Sequence, residues 1–341
     1  MAGAGGVRTS VSRVTLPLRI LVTGSSGHLG EALVRVLGSR GHHVVGLDIV
    51  ASPWTTHVAS IADRAAVRDA VDGVDAVVHS ATLHKPHVDS HSKQDFIDVN
   101  VSGTLVVLEE SVRAGVGRFV FTSSTTTFGR AMTPPAGAPA SWITEDVVPV
   151  PRNIYGATKT AAEDLCRLFA QDHGLPVVVL RTSRFFPESD DRPDVRQAYP
   201  DTNLKTNELL YRRVDIADAV DAHERALESA QRIGFGRYII SATTPFRESD
   251  RAELRVDAPA VVRRLFPRYA QIYDDLGWRM FPSLDRIYLN TAARRELGWQ
   301  PVHDFASAIA RLERGESPFS PLTSLIGAKG YHDRPTGPYT R

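Results

Sequence analysis

Short, almost continuously apolar runs alternate with amphipathic stretches along most of this 341-residue chain. Leu18-Arg-Ile-Leu-Val-Thr23, His43-Val-Val-Gly-Leu47, Ala76-Val-Val-His79, Arg118-Phe-Val-Phe-Thr122 and Pro176-Val-Val-Val-Leu-Arg181 read as strands. Between them, Glu31-Ala-Leu-Val-Arg-Val-Leu37 and residues 63–72, 94–113 and 153–170 carry helical spacing. A further helix over 215–230, a strand Gly236–Ile240 and a helix over 257–266 follow, while the polar piece 187–196 reads as a loop. Strands alternating with helices predict an α/β fold: a doubly wound parallel sheet with a smaller C-terminal α/β lobe.

The candidate chemistry lies where strands end. Gly24-Ser-Ser-Gly27-His-Leu-Gly30 follows the first strand and opens the first helix, as in a dinucleotide-binding unit. Its glycines permit a tight turn and a close backbone approach to a pyrophosphate, and the helix N-terminus favours the anion. Asp48 ends the second strand, where a carboxylate binds the adenosine ribose and repels a 2′-phosphate, so NAD is expected rather than NADP. The fourth strand delivers Ser123, Ser124 and Thr125 at its C-terminal end. Tyr155 and Lys159 stand one turn apart on one helix face, with Asn153 as candidate N-cap. A nearby ammonium and a helix N-terminus favour the phenolate, so a lowered tyrosine pKa is expected there. His79, His84, His87 and His91 crowd one stretch, but Pro86 spoils a helical arrangement, and a loop over the cofactor is expected rather than a metal site.

Composition narrows the setting. Apolar residues make up 42% and charged residues 23%, ordinary for a water-soluble globular chain. A net charge of +1 gives no case for nucleic acid or an anionic membrane. Cys166 is the single cysteine, which excludes an internal disulfide framework and fits a reducing, cytoplasmic setting. No apolar run is long enough for a transmembrane helix. Residues 1–16 are expected to be a disordered leader and 315–341 an extended tail, with no internal repeat between them.

Taken together, Thr23-Gly-x-x-Gly-x-x-Gly30, Asp48, His79-Ser-Ala-Thr82, Asn100-Val-x-Gly-Thr104, Ser123-Ser124 and Tyr155-x-x-x-Lys159 resemble the extended short-chain dehydrogenase/reductase family, also called the NAD-dependent epimerase/dehydratase family. Arg213-Val-Asp215-Ile-Ala-Asp218 and Ala293-Arg-Arg-Glu-Leu-Gly-Trp299 look like its C-terminal lobe. The resemblance implies an NAD-binding Rossmann domain over 17–183 and a substrate lobe over 184–314 interleaved with its sheet. It implies Tyr155 as acid/base, Lys159 as the group that holds the nicotinamide ribose, and Ser124 as the group that orients the substrate oxygen. Cofactor contacts carry over to Gly24, Ser26, Gly27, His28, Leu29, Gly30, Asp48, Ile61, Ser80, Ala81, Asn100 and Lys159. Substrate contacts carry over to Ser124, Thr125, His84, Arg184 and Arg279.

Departures refine the expectation. The family's sugar dehydratases place Asp-Glu where Thr125 and Thr126 stand, so elimination of water is not expected. Ser60 stands where many relatives carry an aspartate near the adenine. The stretch from Arg184 to Asp215 is markedly shorter than in nucleotide-sugar relatives, which suggests a smaller or differently held substrate. Arg184 could pair with a substrate carboxylate or phosphate, or with Asp190 or Asp191. The expected activity is hydride transfer at a secondary alcohol or ketone of a sugar-like substrate, foremost as an epimerase. A net dehydrogenase or ketoreductase and a non-catalytic NAD(P)-sensing protein stay open. Relatives often dimerise through a bundle that includes the Tyr155 helix, so a homodimer is expected.

Overall fold

The apolar runs become β1 (Arg19–Thr23), β2 (His43–Asp48), β4 (Ala76–His79), β5 (Arg118–Ser124) and β7 (Val177–Thr182), joined by the short edge strand β3 (His57–Val58) and by β8 (Phe235–Ile240). They form one seven-stranded sheet in the order β3-β2-β1-β4-β5-β7-β8, with every pair parallel. This computed structural model describes residues 17–190 and 192–329; the expected leader, Asp191 and the end of the expected tail lie outside the described residues. The last strand, β8, comes from beyond residue 184, so the sheet itself runs into the C-terminal half.

Successive strand residues point to opposite faces, and both faces are covered. Ile20, Val22, Ala76, Val78 and Val120 pack under α1 (His28–Ser39) and α8 (Ile216–Ile233). Leu21, Val77, Phe119 and Phe121 pack under α2 (Arg64–Ala70), α4 (Thr104–Arg113) and α5 (Ile154–His173). A sheet buried on both sides needs apolar residues at consecutive positions, which is why the strands read as unbroken runs rather than alternating ones. α5 starts on the cap expected for it, Asn153, whose side chain accepts a backbone N–H in the first turn, and Asp63 and Asp215 cap α2 and α8 in the same way.

Three segments differ from expectation. The helix expected over 94–113 is interrupted: α3 (Lys93–Ile97) passes into a π-helical stretch Asp98–Gly103 before α4. Such insertions often accompany functional positions, and this one carries Asn100. The polar piece 187–196 is not all loop, because α6 (Pro193–Ala198) starts within it and is followed by α7 (Asp201–Glu208). The tail is not simply extended. Pro321–Ile326 is helical, Ile326 joins the core under α1, and Ser320 binds the Asp215 carboxylate through both its N–H (2.9 Å) and its hydroxyl (2.5 Å). The late motifs prove to be fasteners: Trp299 Nε1 donates to the Asp218 carbonyl at 3.0 Å, and the Asp218 carboxylate accepts from the backbone of Val302 and His303. The C-terminal lobe has its own apolar cluster, including Leu209, Tyr211, Val261, Tyr273 and Phe305, and a small parallel sheet of β6 (Ser141–Ile143) and β9 (Arg286–Tyr288).

A buried ion pair fastens α5 to the sheet. Arg181 on β7 forms a forked pair with Glu163 on α5 at 2.7–3.2 Å, both side chains being 1% exposed. Ser123 on β5 donates to the same carboxylate at 2.5 Å. Glu163→Ala would strand Arg181 as an uncompensated buried charge. The expected cost is about 3–5 kcal/mol of unfolding free energy, read from urea denaturation of the variant beside wild type.

Candidate active site

A single cleft of about 730 Å³ opens over the C-terminal ends of β1, β2, β4, β5 and β7. At one end lies the glycine-rich turn. Gly24 has φ +73°, and a Cβ there would meet Ala81 backbone atoms at 2.8 and 2.9 Å. A Cβ on Gly30 would stand 1.8 Å from the Gly24 carbonyl oxygen. Neither position accepts a side chain without a shift of backbone, so the turn presents bare main chain at the start of α1. Asp48 closes the turn: its carboxylate accepts from Ser26 N–H at 2.9 Å and from Val50 N–H at 2.9 Å. Gly27, His28, Leu29 and Gly30 line the cleft beside Ser26 and Asp48. Bare amides at a helix N-terminus with a carboxylate at the next strand end fit a dinucleotide, the pyrophosphate on the turn and the ribose hydroxyls at Asp48. Ile61, Ser80 and Ala81 line the same stretch of wall.

Three further groups close this end of the cleft. His28 Nε2 lies 2.8 Å from the Glu188 carboxylate, which also accepts the Lys329 backbone N–H at 3.0 Å. The Lys329 ammonium pairs with Glu31 in the first turn of α1. Thus the chain's C-terminal segment is pinned beside the glycine-rich turn, and Lys329 itself lines the cleft. Nothing in the local sequence pattern signals this contact, because the partners are separated by most of the chain.

At the other end, Ser124 and Tyr155 meet. Ser124 is the last residue of β5, and its hydroxyl hydrogen-bonds Thr126 Oγ1 at 3.0 Å and receives Thr126 N–H at 3.1 Å. The Ser124 hydroxyl lies close enough to the Tyr155 phenol to favour its phenolate form. Tyr155 stands in the first turn of α5, where Asn153 Oδ1 accepts Gly156 N–H at 3.0 Å. Lys159 reaches back under it and donates to the Thr122 carbonyl at 2.8 Å, its ammonium 4.6 Å from the Phe121 ring centroid. All three side chains face the cleft, together with Thr125, His84, His87 and Arg184.

The electrostatics correct one expectation. Tyr155 is not held below its ordinary pKa: burial pushes it up to about 12, against the lowering pull of the nearby Ser124 hydroxyl. Burial also brings Lys159 down to about 7, against Cys166 and Glu163, which favour its charge. Desolvation of both groups outweighs the helix terminus that the sequence pattern brings to mind.

Two other expected contacts move. Asn100 does not line the cleft. It is buried, its Oδ1 accepting from Leu83 N–H (2.8 Å) and Thr82 (3.0 Å) and its Nδ2 donating to Leu83 O (2.9 Å) and Thr158 Oγ1 (3.0 Å). The π-helical stretch thus ties the loop after β4 to the residue just before Lys159, and Asn100 is a positioning residue. Arg279 is exposed, donates to the Ala198 carbonyl at 3.1 Å and does not line the cleft. Arg184 does line it but is engaged, at 3.0 Å from both Asp190 and Glu208. Arg152, Arg212 and Arg286, none of them expected as substrate contacts, also line the cleft. Arg212 stands between α7 and α8, and Arg286 is placed by the pairing of β6 with β9.

His79, His84 and His87 are all buried but take different places. His79 bridges Thr23 Oγ1 (2.7 Å) and Thr104 Oγ1 (2.9 Å), and burial lowers its pKa to about 3, so it is a neutral brace between β1, β4 and α4. His84 and His87 stack edge-on with centroids 4.8 Å apart at the cleft wall. No three His, Cys, Asp or Glu side chains among the described residues are grouped to hold a metal ion. No described helix is long and apolar enough to cross a membrane.

Comparison with known proteins agrees with this geometry. The pattern of the NAD dependent epimerase/dehydratase family matches residues 20–240. A dTDP-glucose 4,6-dehydratase of Streptomyces niveus is 36% identical over 193 residues, 50% of this chain and 55% of that protein. A uronate dehydrogenase of Pseudomonas syringae pv. tomato is 28% identical over 185 residues, 51% of this chain and 62% of its own length. The chain thus spans little more than half the length of these curated relatives. Among solved structures, a short-chain dehydrogenase/reductase superfamily protein of Agrobacterium tumefaciens with bound NAD superposes with a TM-score of 0.62 at 23% identity, covering 87% of this chain and 97% of that one. By the match over most of its sheet and over the whole glycine-rich turn and Tyr155 helix, the chain belongs to the NAD-dependent epimerase/dehydratase family.

Proposed function

We propose that this chain is an NAD-dependent enzyme that moves a hydride at a secondary alcohol or ketone carbon of a sugar-derived substrate, foremost as an epimerase. The observation that carries the proposal is the convergence of Ser124, Tyr155 and Lys159 on the same cleft as the bare glycine turn and Asp48. NAD, when bound, supplies the hydride acceptor and donor at its nicotinamide. The protein's part is to bind, to orient and to move one proton. Tyr155, protonated in the resting site because burial raises its pKa, is the acid toward a substrate carbonyl oxygen, and the phenolate left by that transfer is the base toward the matching hydroxyl in the reverse direction. Ser124, on the same cleft wall, is placed to hydrogen-bond the substrate oxygen and orient it toward that phenol. Lys159 brings the cation that offsets the cost of a buried phenolate. Asp48 favours a free 2′-hydroxyl over a 2′-phosphate, hence NAD over NADP. Thr125 and Thr126 offer no acid/base group for loss of water, which separates this site from the dehydratase chemistry named for one relative.

A net dehydrogenase is the second reading, favoured by the short connection between β7 and α8, which α6 and α7 occupy. A homodimer in a reducing, cytoplasmic setting completes the proposal and accords with the single, buried Cys166.

Tyr155→Phe is expected to lower turnover at least about 100-fold, within the usual range for loss of a general acid/base, while NAD affinity stays within a few-fold. Retention of full turnover would remove Tyr155 from the mechanism. The low pKa of Lys159 has a consequence for stability. Between about pH 7 and the ordinary lysine range, the unfolded chain holds a proton at Lys159 that the folded chain lacks. This group's contribution to stability therefore rises with pH across that window, by at most about 1.4 kcal/mol per unit. Urea unfolding at pH 6.5 and 9 is expected to show wild type gaining stability relative to Lys159→Met as pH rises. A difference that stays flat would mean that Lys159 is not desolvated. Denaturing the purified protein and measuring released NAD(H) separates the two readings. Near one equivalent per chain fits an epimerase that regenerates its cofactor in place, and an empty site that binds added NAD reversibly fits a dehydrogenase. Failure to bind either cofactor would overturn both.

A further inference from the structure

We infer that Arg212 and Arg286 form an oxyanion subsite at the substrate end of the cleft, suited to a carboxylate or phosphate ester carried on a sugar. The inference rests on the hydride-transfer reading above and names the part of the substrate that reading leaves open. The two arginines come from distant parts of the chain. Arg212 lies between α7 and α8, beside the bridge that joins Arg184 to Arg213, and Arg286 opens β9 of the small sheet. Both guanidinium groups rest against one tyrosine: Cζ of Arg212 is 5.2 Å and Cζ of Arg286 5.8 Å from the Tyr211 ring centroid. Arg286 also lies 5.9 Å from the Tyr288 ring. Both line the cleft that Ser124 and Tyr155 line.

The local charges do not cancel. Glu208 is shared among three cations, at 3.0 Å from Arg184, 2.8 Å from Arg212 and 2.8 Å from Arg213. Asp190 pairs with Arg184 and its charge also acts on Arg212, and Asp285 pairs with Arg286 at 2.9 Å. Arg184, Arg212, Arg213 and Arg286 thus share three carboxylates, Glu208, Asp190 and Asp285. Arg212 lies close enough to Arg286 for the two positive charges to act on each other. The Nε atom of each is buried without a hydrogen bond. Along the cleft wall Asp48 is the one carboxylate among the described residues, at the cofactor end, while Lys85 and Arg152 add further positive charge. A structural ion-pair network would be expected to satisfy its own donors and balance its own charge. This one leaves a net positive charge and two buried Nε donors unbonded, and guanidinium groups held against an aromatic ring suit a carboxylate or phosphate.

The subsite can be tested without turnover, using the full chain carrying Tyr155→Phe and saturated with NAD. Binding of hexuronates, hexose 6-phosphates, UDP-glucose and the matching neutral hexoses is measured by calorimetry, with NAD binding as the check that the cleft is intact. The expected result is that a uronate or a hexose phosphate binds at least about tenfold more tightly than its neutral counterpart, and that Arg212→Gln and Arg286→Gln each remove most of that difference at unchanged NAD affinity. Which of the two charged classes binds then identifies the source of the oxyanion. Neutral hexoses binding as tightly as the charged ones would overturn the inference. So would a charge preference that survives both substitutions, binding of UDP-glucose alone, or binding of none of the probes by a protein that still takes up NAD. Each of these leaves the hydride-transfer reading standing, because that reading is judged by turnover of the Tyr155 chain.

Discussion

The forked pair between Glu163 and Arg181 holds the rest of the site in register. It joins α5, which carries Tyr155 and Lys159, to β7, and through the Ser123 hydroxyl to β5, which ends in Ser124. Both charges are almost wholly out of water, so each is tolerated only while the other is present. An apolar contact at this place would hold the helix against the sheet but leave its rotation and slide to general packing. A forked, directional pair with a third donor fixes both. Ser124 and Tyr155 come from segments that meet only in the fold, and their proximity depends on that placement.

A second set of contacts does the same for the cofactor side. Asn100 in its π-helical stretch reaches both the loop after β4 and Thr158, so the wall that holds Ser80 and Ala81 is coupled to the helix that holds Lys159. Neutral His79 braces β1 against β4 and α4 from beneath. Asp48 braces the glycine turn, and Glu188, His28 and Lys329 fix the C-terminal segment against it. The cleft is thus framed by hydrogen bonds between elements distant in sequence, while its floor is the row of strand ends. Burial has a chemical consequence as well. It raises Tyr155 and lowers Lys159, so the resting pair is closer to neutral than two exposed side chains would be.

Much of this was legible in the order of residues. Glycines at 24, 27 and 30 after an apolar run can hardly do anything but turn tightly, because backbone atoms stand where their Cβ atoms would go at two of the three. The strands, the cap at Asn153, and the one-turn spacing of Tyr155 and Lys159 depend on neighbours within a few positions. The contacts that were misplaced depend on distance in space instead. Asn100 turned inward because the π-helical stretch aims it at Leu83 and Thr158, and Arg279 turned outward to the Ala198 carbonyl. Arg184 does line the cleft and takes one of its two expected partners, Asp190, together with Glu208, while Arg212 and Arg286 reach the same cleft from segments far apart in the chain.

The sequence by itself determined the sheet, the helices, the glycine turn and the residue types that carry the candidate chemistry, since these follow from apolar periodicity, backbone freedom and spacing along one helix. Only the tertiary structure decided which charges face the cleft, how far the tyrosine and lysine are desolvated, and that Lys329 lies beside the turn. Those are properties of burial and of through-space distance between segments far apart in the chain, and no local pattern encodes them.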